Sequence, residues 1–154
     1  MRRPIIGVIG SSSCGKEIYE LAREVGREVA RQGCLLICGG LRGVMEAASC
    51  GAKEAGGITI GVLPGISKKS ANPYIDIPIV TNIGYARNVI IALTADALIA
   101  VSGGYGTMSE IAFGLKAGKP VFGINTHEHI QGVIHCDTPL QAVLSAIKII
   151  DKIP

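Results

Sequence analysis

The chain has 154 residues, 48% of them hydrophobic and 18% charged, with 21 glycines, four tyrosines, two phenylalanines and no tryptophan. That length suffices for one domain, residues 1–154, with a substantial core. The net charge of +3 comes from scattered residues (Arg2, Arg3, Arg23, Arg27, Arg31, Lys68, Lys69), which with so few rings for base stacking argues against a nucleic-acid surface. No apolar run reaches eighteen residues, so no membrane-spanning helix is expected.

In chain order, Pro4 to Gly10 reads as a first strand, too short in its apolar run for a signal peptide. After the turn Ser11-Ser12-Ser13-Cys14-Gly15, a helix runs from Lys16 to Arg31, with Ile18, Leu21, Ala22, Val25 and Val29 at helical spacing. Cys34 to Cys38 is a second strand, Gly39-Gly40-Leu41-Arg42-Gly43 a glycine turn, and Val44 to Ala55 a second helix. Ile58 to Leu63 is a third strand, 66–75 an irregular loop at the C-terminal end of that strand, and Ile77 to Val80 a short fourth strand. Gly84 to Thr94 reads as a helix with Ala86, Val89, Ile90 and Leu93 inward.

Ala97-Leu98-Ile99-Ala100-Val101 is an unbroken apolar run, as in a strand buried on both faces. Ser102-Gly103-Gly104-Tyr105-Gly106-Thr107 follows, then a helix from about Thr107 that stops at Gly118-Lys119-Pro120. Strand, glycine turn and helix N-terminus together make an anion site, because unpaired N–H groups and the helix dipole both point at the turn. Val121 to Ile124 is the next strand, 125–133 a loop, and Ile134 to Cys136 a last short strand. Thr138-Pro139-Leu140-Gln141 is a capping box opening a final helix that carries Val143, Leu144, Ile147 and Ile150.

Strands alternating with helices across short loops predict an α/β fold: a Rossmann-like, doubly wound parallel sheet flanked by helices. Right-handed crossovers bring the turns at Gly10, Gly39 and Gly103 to one sheet edge. The first turn lacks the GxGxxG spacing, the second strand ends without an acidic residue, and no GK[ST] occurs, so neither a dinucleotide fingerprint nor a P-loop is present. Two glycine-rich turns on one edge point to a ligand bearing a phosphate, although a tight structural connection is the alternative for Gly39 to Gly43.

Thr107-Met108-Ser109-Glu110 also reads as a capping box, which would hold Glu110 at the mouth of the turn. On spacing alone Arg87 reads as a solvated surface charge, and His127 and His129 as a solvated pair without a third metal ligand. No metal site is expected. Five cysteines, an odd number with no CxxC pair, fit buried free thiols and a reduced, cytoplasmic protein.

These motifs together resemble the Lonely guy (LOG) family, also known as the "possible lysine decarboxylase" superfamily. Gly39-Gly40-Leu41-Arg42-Gly43-Val44-Met45 matches its GGxxG turn with a following Met, and Ser102 to Glu110 matches PGGxGTxxE with Ser102 in place of proline. Gly10-Ser11-Ser12 resembles its first turn, and the likeness runs from about Ile5 to Ile124. The resemblance implies that Gly10, Ser11, Ser12, Gly39, Gly40, Gly43, Met45, Gly103, Gly104, Tyr105, Gly106 and Thr107 contact a phosphorylated ligand. In the family's phosphoribohydrolases an arginine and the last glutamate of PGGxGTxxE cleave the N-glycosidic bond of nucleoside 5′-monophosphates. They map to Arg87 and Glu110, the glutamate orienting or deprotonating water and stabilising an oxocarbenium-like transition state.

The family's enzymes usually show Arg-Lys where this chain has Arg87-Asn88, and two glutamates where it has Ser109-Glu110. With Asn72-Pro73-Tyr74 and the compact C-terminus, these departures look more like the sister branch of molybdenum-cofactor carrier proteins, which bind a phosphorylated pterin without turnover. The cofactor is then cargo, and no other cofactor is required. No lysine stands out as a pyridoxal Schiff-base site, so lysine decarboxylation is not expected. A homodimer or larger homo-oligomer is implied by the resemblance.

Overall fold

The computed structural model describes residues 2–127 and 129–152. Seven strands, β1 (Ile5–Ile9), β2 (Leu35–Cys38), β3 (Thr59–Leu63), β4 (Ile77–Val80), β5 (Ala97–Val101), β6 (Val121–Ile124) and β7 (Val133–His135), form one sheet. The order is β4-β3-β2-β1-β5-β6-β7, and every pairing is parallel. Five helices flank it: α1 (Lys16–Arg31), α2 (Val44–Glu54), α3 (Arg87–Thr94), α4 (Tyr105–Lys116) and α5 (Pro139–Ile150). This is the α/β Rossmann-like architecture that the alternating pattern predicts.

Side chains of the central strands alternate between two cores, as strand geometry requires. Ile6 and Val8 of β1 and Ala97, Ile99 and Val101 of β5 pack with α1, α2 and α5. Ile9, Leu98 and Ala100 face the other way, onto Ile91 and Ala92 of α3 and Ile111 of α4. All five residues of β5 are buried, which is why its sequence is an apolar run without alternation.

Helices α1 and α2 approach each other almost to backbone contact. A Cβ on Gly26 would overlap the Ala48 carbonyl, and one on Gly51 the Arg23 carbonyl. The outer edges of the same two helices carry an ion-pair network, with Glu54 bridging Arg23 and Arg27, and Glu24 bridging Arg27 and Arg31.

Strands β1 and β5 are neighbours, yet β1 feeds α1 on one face and β5 feeds α4 on the other. The reversal opens a crevice at their C-terminal ends, where ligands sit in this architecture.

Several local expectations shift. Helix α4 begins at Tyr105, two residues before the expected Thr107, because Gly103 (φ 116°) and Gly104 turn the chain straight into it. Thr107 and Glu110 therefore lie inside the helix, and the Thr107–Glu110 capping box does not form.

Helix α3 is preceded by a 3-10 turn at Gly84–Ala86, and its inner face is Arg87, Asn88, Ile91 and Ala92 instead of Ala86, Val89, Ile90 and Leu93. Ile90 and Leu93 are 36% and 53% exposed. The helix is turned so that two polar side chains reach hydrogen-bond partners inside the molecule, at the expense of apolar burial.

Strand β7 starts one residue earlier than expected, and 66–75 contains a 3-10 turn at Lys68–Ser70. The cap of α5 forms, Thr138 Oγ1 accepting from Gln141 N–H at 3.2 Å, while Gln141 Oε1 takes the N–H of Asp137 (2.8 Å).

Candidate functional site

Three turns meet at the crevice. In the first, Gly10 has no room for a side chain: a Cβ there would lie 2.5 Å from Val44 Cγ1 and 2.7 Å from the Val101 carbonyl. The Ser11 carbonyl accepts the N–H of Val44 (3.0 Å), locking this turn to the start of α2.

In the second, Gly40 (φ 76°) and Gly43 (φ 62°) are left-handed, and Gly43 presses on the backbone of Ser11 and Ser12. Asn72 braces this turn from the 66–75 loop. Its N–H donates to the Gly40 carbonyl (2.8 Å) and its Nδ2 to the Leu41 carbonyl (2.8 Å).

The third turn places Ser102 at φ 52° and Gly103 at φ 116°. The first value is closed to proline, so the serine at this point of PGGxGTxxE goes with a turn that proline could not adopt. The loop after β6 holds the turn in place: Thr126 Oγ1 donates to the Ser102 carbonyl (2.7 Å), and His127 Nε2 to the Gly104 carbonyl (3.2 Å). His127 is thus half-buried and bonded to the turn instead of free in solvent. His129 packs edge-on against it, with ring centroids 5.7 Å apart. Among the described residues no cluster of His, Cys, Asp and Glu could hold a metal ion.

The turns enclose a cavity of about 300 Å³. Gly10, Ser11, Ser12, Met45, Gly104, Tyr105, Gly106 and Thr107 line it, with Arg87 and Glu110. Gly39, Gly40, Gly43 and Gly103 do not line it. They form the backbone behind, where a Cβ on Gly39 would meet Met45 Sδ at 2.6 Å and Arg87 Nη2 at 2.7 Å. Leu41, a variable position of the GGxxG turn, Asn88, noted only as a departure from the family's Arg-Lys pair, and Tyr85, which no motif marks, also line the cavity.

Two features mark the cavity chemically. The N-terminus of α4 opens onto it, so unpaired N–H groups and the positive end of the helix dipole face the space. Thr107, 3% exposed, also lines it, and its Oγ1 is buried with no hydrogen-bond partner among the described residues. A buried hydroxyl without a partner costs free energy.

Arg87 and Glu110, both 6% exposed, line the same space. Arg87 Nε donates to the Val62 carbonyl (2.8 Å), Nη2 to the Gly39 carbonyl (3.4 Å) and Nη1 to Asn88 Oδ1. The solvated charge suggested by spacing is therefore a buried anchor tied to β3 and to the second turn.

Burial pushes the Glu110 carboxyl up to about 8, the nearby guanidinium opposing only in part. Burial lowers the pKa of Arg87 as well, with Glu110 opposing. At neutral pH burial therefore favours the protonated acid, able to donate a hydrogen bond or a proton.

A doubly wound α/β sheet with a glycine-turn cavity at its switch point defines the class of protein. Residues 3–148 match the SLOG cluster4 family, and the chain belongs to it. A cytokinin riboside 5′-monophosphate phosphoribohydrolase of Mycobacterium tuberculosis is 32% identical over 126 residues, covering 76% of this chain and 67% of that one. Among solved structures, the molybdenum cofactor binding protein of the phototrophic bacterium Rippkaea orientalis superimposes with a TM-score of 0.91 at 37% identity, covering 99% of both chains. The molybdenum cofactor carrier protein of Chlamydomonas reinhardtii does so with a TM-score of 0.90 at 39% identity, over 98% of this chain and all of that one.

Proposed function

We propose that this protein binds a phosphorylated small molecule in the glycine-turn cavity and holds it without turnover, as a carrier of the molybdenum-cofactor carrier type. The observation that carries this reading is the unpartnered Thr107 Oγ1 at the mouth of the α4 N-terminus. A phosphate there accepts from the hydroxyl and from the helix N–H groups. Arg87, already fixed by backbone carbonyls, supplies the compensating charge. The near full-length likeness to two molybdenum-cofactor proteins supports the same reading.

A second reading is the phosphoribohydrolase, favoured by one observation: Arg87 and Glu110 share the cavity. In that reaction Glu110, held protonated, donates to the departing base nitrogen as the N-glycosidic bond breaks, and water adds to the ribose carbon, giving up a proton that restores the acid.

The test is incubation of purified protein with AMP, GMP, CMP and IMP, followed by assay for free base and ribose 5-phosphate. No release, with a thermal upshift on adding the nucleotides or a molybdopterin, supports the carrier. Release that disappears in Glu110→Gln establishes the hydrolase instead.

The reading includes a homo-oligomer. Outward on α3 and α4, Ile90, Leu93 and Phe113 are 36%, 53% and 39% exposed and lie on neighbouring helices. A stripe of that kind suits a second copy, and light scattering at a mass of one chain would remove this part of the proposal.

A further inference from the structure

We infer that the segment after β6, residues 125–127, is the positioning element of the phosphate site, with Thr126 and His127 as the residues that aim the third glycine turn at its ligand. The inference rests on the phosphate reading above and names what keeps that turn in its binding shape. It also gives a part to His127 and His129, which spacing alone reads as solvated.

Strands β5 and β6 are neighbours, Val101 standing opposite Ile124, and each leaves the sheet through a left-handed residue that is not glycine: Ser102 (φ 52°) and Asn125 (φ 48°). Such a backbone is imposed by its surroundings. Both polar backbone groups of Ser102 are bonded to β6 and its loop. Its N–H donates to the Ile124 carbonyl (2.9 Å), and its carbonyl accepts from Thr126 Oγ1 (2.7 Å). Two residues further along the turn, the Gly104 carbonyl meets His127 Nε2 at 3.2 Å. A carbonyl only accepts, so His127 carries a hydrogen on Nε2.

These two contacts act on N–H groups that they do not touch. A trans peptide is planar, and its C=O and N–H point opposite ways. The Gly104 carbonyl, which also takes the N–H of Met108 (3.0 Å), is fixed by His127, and this sends the Tyr105 N–H the other way, out of the N-terminus of α4 toward the cavity. The Ser102 carbonyl, fixed by Thr126, sets the peptide plane that enters Gly103 (φ 116°). Gly103 in turn leaves room for Thr107, whose hydroxyl would overlap a Cβ at that position. Glycines at 103, 104 and 106 would otherwise leave the turn free among many conformations. A site that is competent only part of the time binds its ligand more weakly in proportion.

The neighbouring structure is shaped to seat these residues. A Cβ on Gly123 of β6 would overlap Thr126 Cγ2, so the bare strand position accommodates the threonine methyl group while the hydroxyl reaches Ser102. His129 backs the His127 ring edge-on. The first turn is braced from the start of α2 and the second from Asn72; Thr126 and His127 are the counterpart for the third.

Wild type, His127→Ala, His127→Gln, Thr126→Val and Thr126→Ser are titrated with ribose 5-phosphate and inorganic phosphate by calorimetry, with urea unfolding measured in parallel. His127→Ala and Thr126→Val should each weaken ribose 5-phosphate binding about three- to ten-fold, as for loss of one preorganising hydrogen bond. Glutamine, whose amide nitrogen donates from about the place of Nε2, and serine, which keeps the hydroxyl, should restore wild-type affinity. In nitrogen-labelled protein without ligand, the Tyr105 amide resonance should move in His127→Ala and stay in place in His127→Gln.

Wild-type affinity in both His127→Ala and Thr126→Val overturns the inference while the phosphate reading stands. Glutamine and serine variants as weak as alanine and valine overturn it too, because the loss then belongs to the loop in general and not to the two hydrogen bonds. So do losses that vanish once binding is corrected for the unfolded fraction. Wild type that binds neither ligand overturns the phosphate reading, and this inference with it.

Discussion

Asn88 donates to the hydroxyl of Ser109 across the gap between α3 and α4 (3.1 Å). These two residues stand where the family's phosphoribohydrolases usually carry Lys and Glu, so the chain departs from that pattern at two positions that touch. The same Asn88 accepts from Arg87, and Ser109 donates to the Gly106 carbonyl. A single chain of hydrogen bonds thus runs from the anchoring arginine to the first turn of α4. Asn88→Ala removes its middle member and leaves a buried guanidinium N–H unpaired. The expected cost is about 1–3 kcal/mol in urea unfolding. In a double-mutant cycle with Ser109→Ala the two losses should fall short of additive by about 0.5–1.5 kcal/mol, whereas strict additivity would mean that the bond contributes nothing.

Thr107→Val separates binding from stability. The hydroxyl has no partner among the described residues, so valine, nearly its isostere, should leave the unfolding free energy unchanged or raise it by up to about 1 kcal/mol. Affinity for ribose 5-phosphate should fall. A clear loss of stability would show that the hydroxyl has a structural partner in solution.

Gly104→Val fills the cavity from within. A Cβ at this position meets only Ser11 Oγ, at 3.9 Å, and φ is negative, so the protein has room for it. Folding should change by about 1 kcal/mol or less, while phosphate and ribose 5-phosphate binding is lost in calorimetry. Unchanged affinity would place the ligand elsewhere.

Glu110 makes stability depend on pH. Its carboxyl titrates near 8 in the folded chain against an ordinary value of 4.5, so the folded state binds more protons between these limits. The stabilisation is complete below about pH 4.5 and is lost as pH rises to about 8, at a slope of up to about 1.4 kcal/mol per unit. Wild type should weaken across that window by more than Glu110→Gln, which has no proton to lose. Parallel pH profiles for the two proteins would show that Glu110 ionises normally.

Gly51→Ala tests the α1–α2 crossing. The added methyl group runs into the Arg23 carbonyl, a backbone atom that cannot swing aside. The expected destabilisation is about 2 kcal/mol or more, although alanine is the better helix former. A stabilised variant would mean that the helices are further apart.

Periodicity and punctuation alone placed the strands and helices. Buried strands show as apolar runs such as Ala97 to Val101, helices as 3.6-residue stripes, and glycine turns mark where each strand hands over to a helix. The glycine turns were legible for the same reason, being short-range patterns, whereas Arg87 and Glu110 stood out only through the family resemblance, spacing alone reading Arg87 as a solvated charge. Strand order, and with it the crevice between β1 and β5, was decided by the tertiary structure, because pairing between strands distant in sequence leaves no local trace. Tertiary contacts also turned α3. Local periodicity favours burying Ile90 and Leu93, but Arg87 finds the Val62 and Gly39 carbonyls only from the inner face. The same long-range contacts set the state of Glu110: a glutamate in a polar-looking motif is ordinary in sequence, and only the protein packed around it removes the water that would keep it ionised.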